Sequence, residues 1–470
     1  MAIEKKASTY QKAHRINRDA SRHGTFAEIG AGQEVARWFF RVGGAAATVA
    51  KTISAYDMAV SDAIYGPSDR YVSRHRLRAM LDYEYDLLLQ RLSDKRGSES
   101  AFFCFADTSA MGSSSRNEPG RSWVGVRFQH RPQFAPSEII LHVRMQEPDN
   151  VQKQEVLGIL GVNLLYGAFY HWQDPNALIR SLRDDLARER YEVDMIRFAG
   201  PAFAGVDNRL MSLQLVEQAF TPAAMFSAGG EVLQPSEALF RKPVLIERGS
   251  FRPVTRTSME LLARACAQFT EALGAGCEDP IVVMEMSLRN LLSGDRIEHD
   301  DFLARVDILG ALGKTVIISN FGYYYGLAEY LRICTDQPIV FALGVPNLRR
   351  LFDDSYYTGL PGGILESCGR LFTSGIKLYV HPYRGTPAGP LITAENMKVA
   401  PHLRHLYLHL VENGMIVPIR VAGEKNLHIL PKEVLRMIQS GNPAWEQLVP
   451  QPGVDLIKQR RVFGYSGEKI

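Results

Sequence analysis

The sequence predicts an α/β protein: a parallel sheet built from repeated β/α units, closed as a (β/α)8-like barrel or left open as a Rossmann-like sheet, with a helical N-terminal segment in front of it. Two observations carry that prediction. From about Gln154 onward, amphipathic stretches alternate with short apolar runs rich in β-branched residues, as in a parallel sheet covered on both faces. Before that, residues 1–100 are dominated by helical periodicity, clearest in RHRLRAMLDYEYDLLLQRL, where Leu77, Leu81, Leu87 and Leu88 recur near the helical repeat.

The elements follow in order. AFFCFADT, SWVGVRFQH and SEIILHVRM read as strands separated by polar loops. Helical stretches over 154–170 and 175–189 lead into YEVDMIRF, and a helix near 207–219 leads into AAMFSA. PVLIER comes next. A helix over 255–273 then precedes IVVMEM, one over 300–312 precedes TVIIS, and one over 324–333 precedes PIVFAL. Two more helices run through 372 to IKLYVH. Counting strands from SEIILHV gives the eight of a barrel; counting from PVLIER gives five, enough for an open sheet behind a separate domain. The expected organisation is a helical segment with a basic arm over 1–100, an α/β ligand-binding core over 101–395, and a helical or extended segment over 396–470.

Composition narrows the partners. The chain has 54 basic and 51 acidic residues, a net charge of +3, so no global field steers it to nucleic acid. The five cysteines lack CxxC pairing and read as reduced thiols, and the N-terminus lacks the apolar run of a signal peptide, which together point to the cytoplasm. Lys5, Lys6, Lys12, Arg15, Arg18 and Arg22 read as a solvated arm or as one that docks on a partner subunit. The uncharged run VLGILGVNLLYGAFYHWQ is broken by Asn163 and His171 and reads as a core helix, without membrane insertion.

Function is expected in the loops after the strands. Glycine recurs there, and Arg197, Arg248, Arg252, Arg289 and Arg384 stand at or beyond strand ends, which suits a phosphate-bearing ligand or, equally, ion pairs with neighbouring carboxylates. Asp194, Glu247 and Glu285 interrupt apolar strands. A buried carboxylate needs a partner, so the three are expected either to converge as Mg2+ ligands or acid and base, or to pair with arginines.

GSFRPVTRTSMELLARA, entered from a strand and opening a helix, resembles the G-S-F-x-P-x-T-x-G-H motif of the nucleotidyltransferase superfamily, especially pantetheine-phosphate and nicotinate-nucleotide adenylyltransferases. Gly249, Ser250, Phe251, Pro253 and Thr255 match; Thr257 and Ser258 stand where the family has Gly and His. The early segment RHGTFAEIGAGQEVARWFFRVGG is similar to a bacterial family commonly labelled nicotinate-nucleotide adenylyltransferase and sometimes TonB-dependent receptor, the latter at odds with the absence of alternating barrel strands. The resemblance implies a nucleotidyltransferase-like part over 240–385 that takes ATP with Mg2+ and transfers AMP to a mononucleotide or phosphopantetheine. Its site would use Thr255, Ser258 and Glu285 for chemistry, Arg248, Gly249, Ser250, Arg252 and Asn320 for the ligand, and Asp194, Glu247 and Glu285 for the metal. The second half of the family pattern, an I-S-S-T-x-x-R helix start, is met only by Ser319 and Asn320 in IISNFGYYYG, without its arginine. Ser258 cannot present an imidazolium, so a non-catalytic protein assembling into a homo-oligomer or filament is the alternative.

Three other motifs carry less. The GKT at Gly313 leaves a helix instead of opening one and reads as a C-cap. Gly30 and Gly32 lack the third glycine of a dinucleotide fingerprint. His402, His405 and His409 share a helix side without an acidic third ligand.

Overall fold

The computed structural model describes residues 6–112, 119–274, 276–386, 388–421 and 427–467. The chain forms two compact units, Met1–Pro222 and Ala223–Ile470. This division falls inside the stretch 101–395 that the sequence grouped as one core.

The first unit is built on six strands: β1 (Arg22–Ile29), β2 (Val49–Ile53), β3 (Ala101–Ala110), β4 (Gly120–Phe128), β5 (Ser137–Met145) and β6 (Tyr191–Ala199). Their order is β2-β1-β3-β4-β5-β6, parallel through the first three and antiparallel through the rest. Two strands therefore lie inside the segment expected to be helical. RHGTFAEI is buried along six consecutive residues, so it shows no alternation of polar and apolar positions that would mark it as a strand.

The helices around this sheet include α1 (Thr9–Asn17), α2 (Glu34–Val42), α3 (Arg74–Arg96) and α4 (Asn150–Tyr170). Phe26, Phe103, Phe105, Val124 and Val126 meet α2 and α4 in one continuous core. The apolar run of the sequence is α4, buried along most of its length, and among the described residues no helix is long and apolar enough to cross a membrane. Nor is the basic segment a solvated arm. Ser8 and Gln11 close a capping box at the start of α1, and Lys12, 1% exposed, donates to Asn163 at 2.8 Å and pairs with Asp184 at 2.7 Å. Arg15 stacks on Tyr170; Lys5 lies outside the described residues.

The second unit contains β7 (Ala223–Phe226), β8 (Val232–Leu233), β9 (Val244–Arg248), β10 (Ile281–Ser287), β11 (Thr315–Ser319), β12 (Ile339–Gly344), β13 (Lys377–His381) and β14 (Ile416–Pro418). They form one open sheet ordered β14-β13-β12-β9-β10-β11-β7-β8, so the barrel alternative is excluded. Of the three strands that would have completed the barrel, SEIILHV and YEVDMIRF are β5 and β6 of the first unit, and AAMFSA is β7 of the second. Strands β9 to β14 are all parallel, and taken in chain order they lie 3-2-1-4-5-6, the doubly wound Rossmann arrangement.

Helices cover both faces of this sheet. Ile246, Val283, Ile317, Phe341 and Leu378 point to α7 (Tyr324–Cys334), α8 (Val345–Leu351) and α9 (Gly363–Leu371). The opposite face meets α5 (Arg256–Leu273) and α6 (His299–Ala311): Tyr379 packs edge-on against Phe269 of α5, and Phe226 against Phe302 of α6.

Gly30, which ends β1, has φ +96°, and a Cβ there would stand 2.0 Å from the Ser109 carbonyl oxygen. Gly30→Ala is expected to lower the stability of the first unit by more than about 1 kcal/mol, read as a lower urea midpoint at unchanged slope.

Candidate functional site

In a 3-2-1-4-5-6 sheet the chain turns in opposite directions after the first and fourth strands, and a crevice opens beyond their carboxyl ends. Here those strands are β9 and β12, so the crevice is bordered by Gly249–Thr255 and by the turn at Gly344. The GSFRPVT segment is therefore the first β-to-α turn of the sheet.

Its shape comes from its own residues. Phe251 folds back into the core, 4% exposed and at φ 47°, and leaves no room for a side chain at 249, where a Cβ would lie 2.8 Å from its ring. The Arg252–Pro253 peptide is cis. Thr255 then caps α5, its hydroxyl accepting from the Ser258 amide at 3.2 Å.

Register divides the polar residues between the two faces of the sheet. Arg248 pairs with Glu285 across β9 and β10, and Glu247 pairs with Met284, so the adjacent residues 247 and 248 point opposite ways. On the α7 side, Arg248 donates to Glu285 through Nε at 2.6 Å and Nη2 at 3.0 Å, and to the Phe321 carbonyl at 3.0 Å. Ser319 donates to the same carboxylate, and the guanidinium lies over the Tyr324 ring, 5.0 Å from its centre. Glu285 is fully buried, so this fork supplies the charge compensation a buried carboxylate requires.

On the α5 side, Glu247 has no such cation. Burial pushes its carboxyl up from 4.5 to about 8, with Lys314 and a hydrogen bond from Ser258 only partly opposing it. One of its oxygens has no partner. Ser258, at the histidine position of the motif, thus bonds a buried acid and approaches the Thr255 hydroxyl at 3.3 Å.

Arg252 is also held internally, paired with Asp301 of α6 at 2.7 Å. Arg305 of α6, 1% exposed, joins the same carboxylate and donates to the Ser250 carbonyl at 3.1 Å and the Asn290 carbonyl at 2.8 Å. Ser250 and Asn320 are exposed at the rim. Arg289, Arg349 and Arg350 are exposed too and make no ion pair among the described residues, and Arg350 is close enough to Tyr324 to act on its hydroxyl. Arg349 and Arg350 stand in the last turn of α8, and the sequence did not single them out.

The three carboxylates grouped in the sequence do not form one centre. Glu247 and Glu285 occupy opposite faces of the sheet, and Asp194 belongs to β6 of the first unit, where its carboxylate bonds His142 at 2.6 Å. Glu285 is consumed by Arg248 and Ser319, and Glu247 holds a proton at neutral pH, so neither is a ready Mg2+ ligand. Among the described residues, no group of three or more His, Cys, Asp or Glu could hold a metal. Arg197 faces Glu138 in the first unit, and Arg384 donates to the Gly389 carbonyl. A cavity of about 560 Å3 runs along α5 past Cys266 to Val282 and Lys314, at the amino ends of β10 and β11, the other end of the strands from the crevice.

No protein-family model and no curated protein matches the chain. Solved structures that align with it include a competence/damage-inducible protein, CihA, from Agrobacterium tumefaciens, with 17% identity, a TM-score of 0.26, 35% of this chain and 97% of that one. A competence-damaged (CinA) superfamily protein from Klebsiella pneumoniae aligns with 16% identity and a TM-score of 0.27 over 35% of this chain and 100% of that one. One from Enterobacter cloacae gives 12% and 0.26 over 36% and 96%. Scores this low carry neither fold nor function to this chain.

Two outcomes follow from the paired and unpaired acids. Because native Glu247 keeps its proton between pH 4.5 and about 8 while the unfolded chain has released it, stability falls with rising pH through that window. The slope from this group is about 1.4 kcal/mol per pH unit, and Glu247→Gln is expected to remove it in urea titrations. Arg248→Ala strands the buried Glu285 carboxylate and is expected to cost about 3 to 5 kcal/mol.

Proposed function

We propose that the second unit binds a nucleotide or another phosphorylated ligand in the crevice between the carboxyl ends of β9 and β12. The observation that carries this reading is the place of the GSFRPVT turn: the segment whose sequence resembles a nucleotidyltransferase turn is the first β-to-α turn of a 3-2-1-4-5-6 sheet and so borders its switch point. Arg289 and Arg350 supply unpaired positive charge for phosphate, a role that Arg248 and Arg252, already paired, do not fill. Mg2+ would arrive with the phosphates of a nucleoside triphosphate, which need few protein ligands.

Adenylyl transfer is the reaction that the turn resembles. Its chemistry at this site would run without an imidazolium, since Ser258 offers a hydroxyl already shared with Glu247 and Thr255. Loss of one such donor costs roughly 2.7 to 4 kcal/mol at a transition state, so binding is placed ahead of turnover.

The test is thermal unfolding with ATP, nicotinate mononucleotide or phosphopantetheine, each with and without Mg2+. A ligand at about 100 times its Kd is expected to raise Tm by about 5 to 10 °C. Arg350→Ala and Arg289→Ala should abolish the shift while leaving the unliganded Tm in place, whereas Arg252→Ala should lower the unliganded Tm by breaking the Asp301 pair. A Tm unmoved by all three ligands, or a shift that survives both exposed-arginine variants, refutes the site.

A further inference from the structure

A second pair of buried acids lies in the first unit. The parallel register of β1 and β3 sets Glu28 directly beside Asp107, on the face that carries Phe26 and Phe105, and both are 0% exposed. Glu28 accepts from the amides of Val35 and Ala36, each at 2.9 Å, and so closes the first turn of α2. Asp107 accepts from the Ser109 hydroxyl at 3.2 Å, and its other oxygen has no partner. Ser109 in turn shares a 2.7 Å hydrogen bond with Ser122 of β4.

No cation offsets the pair: among the described residues, neither acid makes an ion pair. From α2 the nearest titratable group is Glu34, which adds negative charge and is itself paired with Arg37 at 3.2 Å. From α4, Lys153 is turned to the Met111 carbonyl. β4 contributes only the Ser122 hydroxyl. Two adjacent carboxylates removed from water cannot both be charged without compensation. The amides of α2 favour charge on Glu28, which leaves Asp107, with its unpartnered oxygen, as the group that holds a proton.

We propose that Glu28 and Asp107 together hold one proton, carried by Asp107, and form a pH-sensitive latch on the amino terminus of α2. With the proton in place, Glu28 clamps Val35 and Ala36. Its loss puts a second negative charge beside the first, and the strain is relieved by opening the first turn of α2 together with the glycine loop that precedes it.

The test uses the full chain, with Asp107→Asn as the uncharged counterpart and Glu28→Gln as a second variant that keeps an amide acceptor. The first readout is hydrogen exchange at Val35 and Ala36 from acid to alkaline pH. Expressed as the ratio of wild type to Asp107→Asn, the rate should climb by up to tenfold per pH unit over the range in which the opened turn has released the proton that the closed pair still holds, and level off once the closed pair has lost it too, and the ratio to Glu28→Gln should climb likewise. The second readout is the infrared band of protonated carboxyl at neutral pH, taken in a Glu247→Gln background, where Asp107→Asn should remove one group's intensity. A ratio flat in pH, or a band unchanged by Asp107→Asn, overturns the latch.

Discussion

The second unit depends on one ion pair, between Arg248 and Glu285. It joins the first two strands of the parallel sheet side to side, and through Ser319 and the Phe321 carbonyl it draws in the end of the third. Three adjacent strand ends, that of β9 beside the crevice among them, are thus tied at a single point, where each unpaired charge would carry a desolvation cost of several kcal/mol. The strict alternation of a β-strand does the rest: with Arg248 committed to one face, Glu247 is forced to the other, into apolar surroundings with Ser258 as its hydrogen-bonding neighbour.

That alternation explains how much of the site was legible. The repeating β/α texture from PVLIER onward and the strand-turn-helix character of GSFRPVT follow from local pattern, and the structure has them. Which carboxylates would meet was not local information. Asp194, Glu247 and Glu285 look alike in sequence, each an acid set in an apolar run, and only register and the division of the chain into two units separate them. The first unit was harder to read for a related reason: β1 is buried on both sides and bounded by glycine, so its sequence lacks the period that marks a half-exposed strand. The basic residues near the N-terminus misled in the opposite sense, because Lys12 is buried through specific partners more than 150 residues away in sequence, Asn163 and Asp184.

Both units bury acids in their sheets, and they meet the cost of burial differently. Glu285 has a guanidinium fork; Glu247 keeps a proton with a serine beside it; Glu28 leans on helix amides and on a neighbour that keeps its own proton. A serine at position 258 fits the second of these solutions, since a small hydroxyl can reach the acid from the first turn of α5 without bringing another charge into the core.

Arg305 has a mechanical consequence. Its guanidinium, rooted in α6, grips the carbonyls of Ser250 and Asn290, which lie in the turns after two different strands, while its partner Asp301 grips Arg252. Both turns are therefore anchored to the same helix, and any displacement of α6 is transmitted to both at once. A rim built this way moves as a rigid bracket, not as independent loops, so what enters it meets a shape already set and gives up little entropy in ordering it.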